Sequence, residues 1–274
     1  MNLNDLLKES LTQEEIEKVP TSYDVVGDIL IFADFPKELK KKQRFVGNCF
    51  LKYLKQVKVV CKKSKKYSGE FRTPKLTIIA GVRRKETLYK ENNVQIMLDV
   101  EKCYFSPRLS NERLRIAKLV QDREEVLVMF SGVAPYPLVI SRNSKPKSVF
   151  AIEKNPIASK YAEQNVILNK IKNITLFCGD VMVILPKIIK KFDRVLMPLP
   201  RDAQDFLDIA IPKLKKGGIL HFYDFLNESE FDKAKAKVIG ACKKKKRRCE
   251  ILDLVKCGQY SPHTFRICVD AKIT

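Results

Sequence analysis

Read for the alternation of apolar and polar positions, the chain changes character near residue 104. Beyond it, Glu125–Phe130 (EVLVMF) and Ser148–Glu153 (SVFAIE) are continuous apolar runs, and Ile174–Cys178, Phe192–Met197 (FDRVLM) and Ile219–Phe225 read as further strands. Such runs suit strands of a parallel sheet buried on both faces. Asn155-Pro156 gives an N-cap followed by proline at the first helical position. It opens a helix to about Asn169, with Ile157, Tyr161 and Leu168 expected on one apolar face. A second helix is expected from about Arg201 to Lys215, stopped by Lys216-Gly217-Gly218, and a third over roughly Glu228–Ala241. Glu250–Val255 and Phe265–Val269, joined by a short loop, read as an antiparallel hairpin at one edge. Strands alternating with helices imply right-handed βαβ units and a doubly wound α/β sheet.

The first hundred residues read differently. Val26–Ala33 (VGDILIFA), Val57–Cys61, Leu76–Ala80 and Gln95–Val100 are short strands around one helical stretch near Lys37–Tyr53. Runs of strands with a lone helix predict a separate small α+β domain. Tyr104-Phe105-Ser106-Pro107-Arg108 makes a proline-containing hinge into a helix starting near Ser110. The expected division is a short segment over 1–20, a small domain over 21–103 and the sheet domain over 104–274.

Composition narrows the function. Hydrophobic residues at 45% beside 31% charged residues describe a globular chain. No run of about 18 apolar residues is present to span a membrane. The acidic, polar start lacks an apolar signal core, so a cytoplasmic location is expected. Lys+Arg number 53 against 32 Asp+Glu, and the resulting +21 calls for a polyanion, nucleic acid first of all. Lys62, Lys63, Lys65 and Lys66, then Arg83 and Arg84, Arg108, and Lys243, Lys244 and Arg247 are the expected phosphate contacts. A run of like charge is more often only a solvated face, and at least two clusters are expected to touch RNA. Eight cysteines form no C-x-x-C pair and only two histidines exist, so no metal site is expected.

The chemistry is placed by the first βα turn of the sheet domain. Ligands of open α/β sheets bind beyond the carboxyl ends of the strands, where the strand order reverses. Phe130-Ser131-Gly132-Val133-Ala134-Pro135 occupies that place with one glycine, where a dinucleotide fingerprint requires three. Glu153, ending the next strand, is positioned to accept both ribose hydroxyls. Asp180, ending the third, is positioned to accept from an adenine amino group. Each acid alone is as readily a solvated cap, but together, without a phosphate cradle, they describe an adenosine ligand lacking phosphates. S-adenosyl-L-methionine fits. Phe105, Arg113, Phe130, Val133, Lys154 and Val181 complete the expected cofactor set.

Several motifs occur in order: Gly69-Glu70-Phe71-Arg72, Tyr104–Arg108, Asn111–Ala117 (NERLRIA), Met129–Pro135 (MFSGVAP) and Glu153-Lys154-Asn155-Pro156. Together with Leu168-Asn169-Lys170 and Gly217-Gly218 they closely resemble the archaeal and eukaryotic tRNA (guanine-37-N1)-methyltransferases, over about residues 22–274. The resemblance implies a class I methyltransferase domain, S-adenosyl-L-methionine as donor, tRNA position 37 as target and a monomer. It implies Glu112 as general base and Arg72 as the cation stabilising charge on guanine O6. Without it, an ordinary first-turn acid and a phosphate contact are the better readings of these two residues. Where the family has Asn-Leu-Pro, this chain has Pro198-Leu199-Pro200, which resembles the archaeal wyosine-pathway branch. That branch is implied to methylate C7 of 4-demethylwyosine, with or without guanosine N1. The rival readings are an aminocarboxypropyl transferase of the same pathway and a non-catalytic tRNA-binding protein.

Overall fold

Gly27 and Asp28 turn the chain where a single strand was expected. The computed structural model describes residues 2–199 and 202–274, with the backbone alone at residues 65–68 and 260. Tyr23–Val26 (β1) and Ile29–Phe32 (β2) pair antiparallel, Val26 opposite Ile29. Gly27 takes φ 58 as the first residue of this two-residue turn, the position at which a type II′ hairpin requires glycine. The apolar run hid the turn because β2 is buried at all four positions.

The chain divides into two compact units: Met1–Lys90 with Gln95–Pro107, and Glu91–Val94 with Arg108–Thr274. In the first, Leu3–Lys8 (α1) and Gln13–Glu17 (α2) each begin with a capping box, Asn2 with Asp5 and Thr12 with Glu15. Leu6, Leu7, Leu11 and Val19 from this segment join Leu30, Phe32, Val46, Phe50 and Val60 in one core. Residues 1–20 are therefore part of this unit's packing rather than a separate segment. Gln43–Tyr53 (α3) is the crossover from β2 to parallel Val59–Ser68 (β3), and Thr73–Gly81 (β4) returns antiparallel. Glu86–Glu91 (β5) and Val94–Asp99 (β6) form a two-stranded sheet. Alternating charges in β5 (ETLYKE) concealed it as a strand.

The second unit opens with Ser110–Leu119 (α4). Its sheet contains Glu125–Met129 (β7), Ser148–Glu153 (β8), Ile174–Cys178 (β9), Phe192–Met197 (β10), Leu214–Asn227 (β11), Cys249–Ser261 (β12) and Thr264–Ile273 (β13). The order across it is β12-β13-β11-β10-β7-β8-β9. Neighbours from β9 to β11 run parallel, while β13 lies antiparallel to both β11 and β12. Pro135–Asn143 (α5), Pro156–Leu168 (α6), Val181–Lys187 (α7), Leu207–Ala210 (α8) and Phe231–Lys244 (α9) are its other helices. Strand residues Leu127, Met129, Ile152, Val195 and Phe222 meet Leu185, Ala234 and Val238 of the helices in the core. Each fully buried large side chain contributes about 1.5–3 kcal/mol.

Two expected features are corrected. Helix α6 buries Ala158, Ser159, Ala162 and Asn165, while Ile157 and Leu168 are exposed. Small residues let this helix lie close on the sheet, so its largest apolar side chains do not mark the inner face. The helix expected over Arg201–Lys215 is instead a 3₁₀ turn (Ala203–Phe206), α8 and a second 3₁₀ turn at Ile211–Lys213. Strand β11 then begins at Leu214 and passes through Lys216-Gly217-Gly218 with a register shift. Arg201 and Pro200 lie outside the described residues. Among the described residues no helix is long and apolar enough to cross a membrane.

Candidate active site

Three residues in the turn after β7 have positive φ: Phe130 (58), Gly132 (56) and Ala134 (66). A side chain in this region costs on the order of 1–3 kcal/mol, so surrounding bonds must hold Phe130 and Ala134 there. They do. The Ser131 N–H donates to the Ile152 carbonyl at 2.9 Å, and the Ala134 N–H to the Ser131 carbonyl at 3.0 Å. The Gly132 N–H donates to Glu153 Oε2 at 2.6 Å. From buried α6, Asn165 Nδ2 donates to the Val133 carbonyl at 3.1 Å.

Glu153 therefore links the turn to the next helix, its Oε1 accepting the Asn155 N–H at 2.7 Å. Burial pushes its carboxyl upward against the pull of the Asn155, Gly132 and Lys154 N–H groups. Asn155 caps α6 through the Ile157 and Ala158 N–H groups. One strand further, Asp180 caps α7 by accepting the Met182 N–H at 2.8 Å and takes Lys154 Nζ on Oδ2 at 2.6 Å. The Lys154 bond holds Asp180 below the usual carboxylate range. Val133 and Val181 are buried beneath the two loops, and Phe130 meets Phe206 edge-on, centroids 4.8 Å apart. After β10 the Leu199 N–H donates to the Met197 carbonyl at 2.8 Å, a three-residue turn centred on Pro198. All these groups stand at the carboxyl ends of the parallel strands.

The residues fit an adenosine-bearing cofactor. Each engaged oxygen of Glu153 retains a lone pair for a ribose hydroxyl. The Ser131 hydroxyl is buried without a hydrogen-bond partner among the described residues, an orphan a ligand would satisfy. Sequence reasoning passed over Ser131 because a serine in a turn carries no distinguishing spacing.

Glu112 is buried in the first turn of α4. Its Oε2 accepts Arg115 Nε at 2.6 Å, and its Oε1 accepts Arg115 Nη2 at 2.8 Å and the Tyr223 hydroxyl at 2.6 Å. Tyr223 in turn accepts the hydroxyl of Tyr136, which is core. Arg115 also donates from Nη1 to Asp270 Oδ2 at 2.6 Å. Asp270 Oδ1 faces His221 Nδ1 at 2.6 Å, and His221 Nε2 faces Arg194 Nη1 at 2.7 Å. A guanidinium only donates, so Nε2 is the acceptor and the imidazole proton sits on Nδ1. Burial lowers the His221 pKa, in accord with a neutral ring. His221, Cys268 and Asp270 would group as metal ligands, but His221 Nε2 and Asp270 Oδ2 already bind guanidinium groups, which also repel a cation.

Arg113, expected beside the cofactor, has a 2% exposed side chain paired with Glu91 through Nε at 2.5 Å. Phe105 lies in the first unit, edge-on to Tyr89, and lines a small cleft there with Lys63, Cys103 and Pro107. Arg72, also in that unit, has φ 48 in the turn between β3 and β4. Among the expected RNA contacts, Arg83, Arg108, Lys243 and Lys244 are exposed, and Lys62 lies over the Phe35 ring at 5.2 Å. Arg84 forks onto Asp28 instead. Arg247 is corrected to a structural role: its guanidinium donates to the Leu214, Lys215 and Ile273 carbonyls. The side chains of Lys65 and Lys66 lie outside the described residues.

A seven-stranded sheet of this order, with a reversed strand beside its edge and an acid-lined turn at its switch point, defines a class I methyltransferase fold. The TRM5/TYW2 methyltransferase domain matches residues 87–252, and the TYW2 N-terminal domain matches residues 3–84. The chain belongs to the TRM5/TYW2 family. It is 36% identical over 97% of its length to the tRNA (guanine(37)-N(1))-methyltransferase Trm5b of Pyrococcus abyssi, covering 78% of that protein. The crystal structure of P. abyssi Trm5b superposes with a TM-score of 0.87 over the same shares of each chain. The tRNA 4-demethylwyosine(37)-methyltransferase Taw21 of Saccharolobus solfataricus is 32% identical over 98% of this chain and 99% of its own. A tRNA(Phe) (4-demethylwyosine(37)-C(7)) aminocarboxypropyltransferase of Methanocaldococcus jannaschii is 31% identical, covering 91% and 97%.

Proposed function

We propose that the chain transfers the methyl group of S-adenosyl-L-methionine to the base at position 37 of tRNA, accepting 4-demethylwyosine at C7 and guanosine at N1. The observation that carries this reading is the Glu153–Gly132 link at the switch point, an adenosine-reading turn without a phosphate cradle. Family membership and the end-to-end match to the Taw21 methyltransferase support it. When bound, the cofactor supplies an electrophilic methyl group on a sulfonium. Positioning gives much of the acceleration of such an in-line displacement. Guanine N1 must also lose its proton, and Glu112 is the base in this reading, a role worth about 10²–10⁴-fold. Arg115 and Tyr223 fix its carboxylate. Arg72 is assigned the negative charge developing on O6. Pro198 offers an apolar wall suited to a flat tricyclic base. The reading takes the protein as a monomer acting in the cytoplasm, in keeping with eight free thiols.

A second reading, transfer of the aminocarboxypropyl group, is favoured by the match of residues 3–84 to the TYW2 N-terminal domain. Incubation with the cofactor and two tRNAs, one bearing guanosine and one the tricyclic base, tests both. Nucleoside mass spectrometry is expected to find an added methyl group on position 37. An added aminocarboxypropyl group selects the second reading, and unmodified nucleosides reject both.

A further inference from the structure

The two edges of the second unit's sheet differ in their exposed charge. Beyond the carboxyl ends of the parallel strands stand Glu153, Asp180, Asp202 and Glu228, with Lys154 tied to Asp180 and Lys256 to Glu228. At the amino-terminal edge every strand brings an exposed cation. In sheet order, Lys172 precedes β9, Lys145 β8, Arg123 β7 and Lys191 β10. Lys216 near the start of β11, Lys272 near the end of β13 and Arg248 before β12 continue the row. Strands lie about 4.8 Å apart, so the row is roughly 30 Å long. The exposed end of α9, Lys243–Lys246, thickens it at one side.

Most acids at this edge face a lysine or arginine. Glu125 faces Lys147 at 3.4 Å, Lys190 at 2.8 Å and Lys215 at 3.0 Å. Hydrogen bonds from Lys190 and then Lys215 hold its carboxyl down at about 2. Asp193 also takes Lys215, and Glu124 takes Arg194. Asp122, Asp208 and Glu250 are the exposed acids nearby, Asp208 lying 3.8 Å from Lys245.

We propose that this amino-terminal edge is an RNA-backbone surface, separate from and opposite to the cofactor edge. It goes beyond the functional reading but rests on it for the choice of RNA. A linear row of cations matches a linear polyanion, whose phosphates release counterions as they are neutralised. A membrane surface would draw apolar side chains along with lysines. The large apolar side chains exposed near this edge, Leu119, Ile167, Ile189 and Leu252, come from four separate segments, before β7, β9 and β10 and within β12.

The test is a four-fold variant, Lys145→Gln, Lys172→Gln, Lys191→Gln and Lys216→Gln, all exposed and outside the cofactor edge. Binding of an unmodified tRNA transcript is measured against salt without cofactor, and single-turnover methyl transfer at saturating tRNA in parallel. The slope of log K against log salt is expected to fall by about 3, from roughly 0.7–0.9 per phosphate contact, with the saturated rate unchanged. A slope equal to that of the unaltered protein overturns the proposal. So does a variant that loses only its binding to phosphatidylserine vesicles. An unaltered protein that binds with the steep slope yet transfers no methyl group defeats the functional reading and leaves the RNA edge standing.

Discussion

The Glu112 carboxylate is gripped by Arg115 through two N–H groups, at 2.6 and 2.8 Å, while the same guanidinium reaches Asp270 at 2.6 Å. One cation thus serves two buried carboxylates. Removing it by Arg115→Met leaves both without their counterion, a loss of about 3–5 kcal/mol for a broken buried pair. A fall in the thermal midpoint of roughly 6–20 °C is expected by calorimetry. Arg115→Lys keeps the charge but not the fork, so it is expected to recover part of the midpoint while methyl transfer by the folded enzyme stays impaired. Full activity in that variant would show that the geometry of Glu112 is not what Arg115 provides.

Glu153 is expected to govern cofactor uptake and little else. Glu153→Gln replaces an accepting oxygen with an amide that cannot accept from both Gly132 and Asn155. Losing charge-assisted bonds of this kind costs about 1.5–3 kcal/mol. Calorimetry is expected to show cofactor affinity reduced roughly 10- to 150-fold, with tRNA affinity unchanged. Parallel loss of both affinities would indicate that the turn itself has collapsed.

The two readings of Arg113 make opposite predictions. A buried partner of Glu91 should be needed for folding, whereas a cofactor ligand should not. Arg113→Leu strands the Glu91 carboxylate in the interior and is expected to cost about 3–5 kcal/mol in urea unfolding. The double variant Arg113→Leu, Glu91→Leu should recover much of that loss, because both charges leave together. Cofactor affinity measured on the folded double variant then decides whether Arg113 also touches the ligand.

How much could be read from the chain follows from range. Strands β7 to β10 announced themselves because each carries three or four consecutive apolar residues, a local signal. Glu153 and Asp180 were legible because each stands at a strand end with a turn beside it. The partners of Glu112 were not, since 111 residues separate it from Tyr223 and 155 separate Arg115 from Asp270. Only the Glu112–Arg115 spacing of three along a helix was there to be noticed. Arg84 and Arg247 look like RNA contacts in sequence for the same reason: their acceptors, Asp28 and three backbone carbonyls, are supplied by segments distant in the chain.

Acid should loosen the fold in two stages. Burial lowers the pKa of His221, so the unfolded chain binds its proton first, near pH 6.5, and stability falls as pH drops below that value. The slope is up to about 1.4 kcal/mol per pH unit for one proton. Burial raises Asp270, but the bonds from His221 and Arg115 outweigh it and hold the carboxyl well below the usual range. Its contribution is complete above about pH 4 and is lost as pH falls towards the folded value. Urea midpoints from pH 8 to 3 should trace both stages. In His221→Asn the decline between pH 6.5 and 5 should flatten, and an unchanged profile would remove His221 from the account.

Pro198 is the residue on which base choice is expected to turn. It sits at the centre of the turn closed by the Leu199 N–H and the Met197 carbonyl at 2.8 Å, and its ring fixes the φ that such a turn needs. Asparagine can adopt the same φ at a cost of about 0.4–1 kcal/mol from greater freedom in the unfolded chain, so Pro198→Asn should fold. What it adds is an amide with both a donor and an acceptor, where proline offers only a carbonyl and an apolar ring. Guanosine, smaller and richer in polar edges for its size, gains from that amide; the tricyclic base loses an apolar wall. The ratio of N1-methylated guanosine to C7-methylated tricyclic product is therefore expected to rise at least several-fold in Pro198→Asn, each tRNA being assayed separately at saturating cofactor. Should the ratio stay where it was, specificity lies elsewhere and Pro198 does no more than shape the turn.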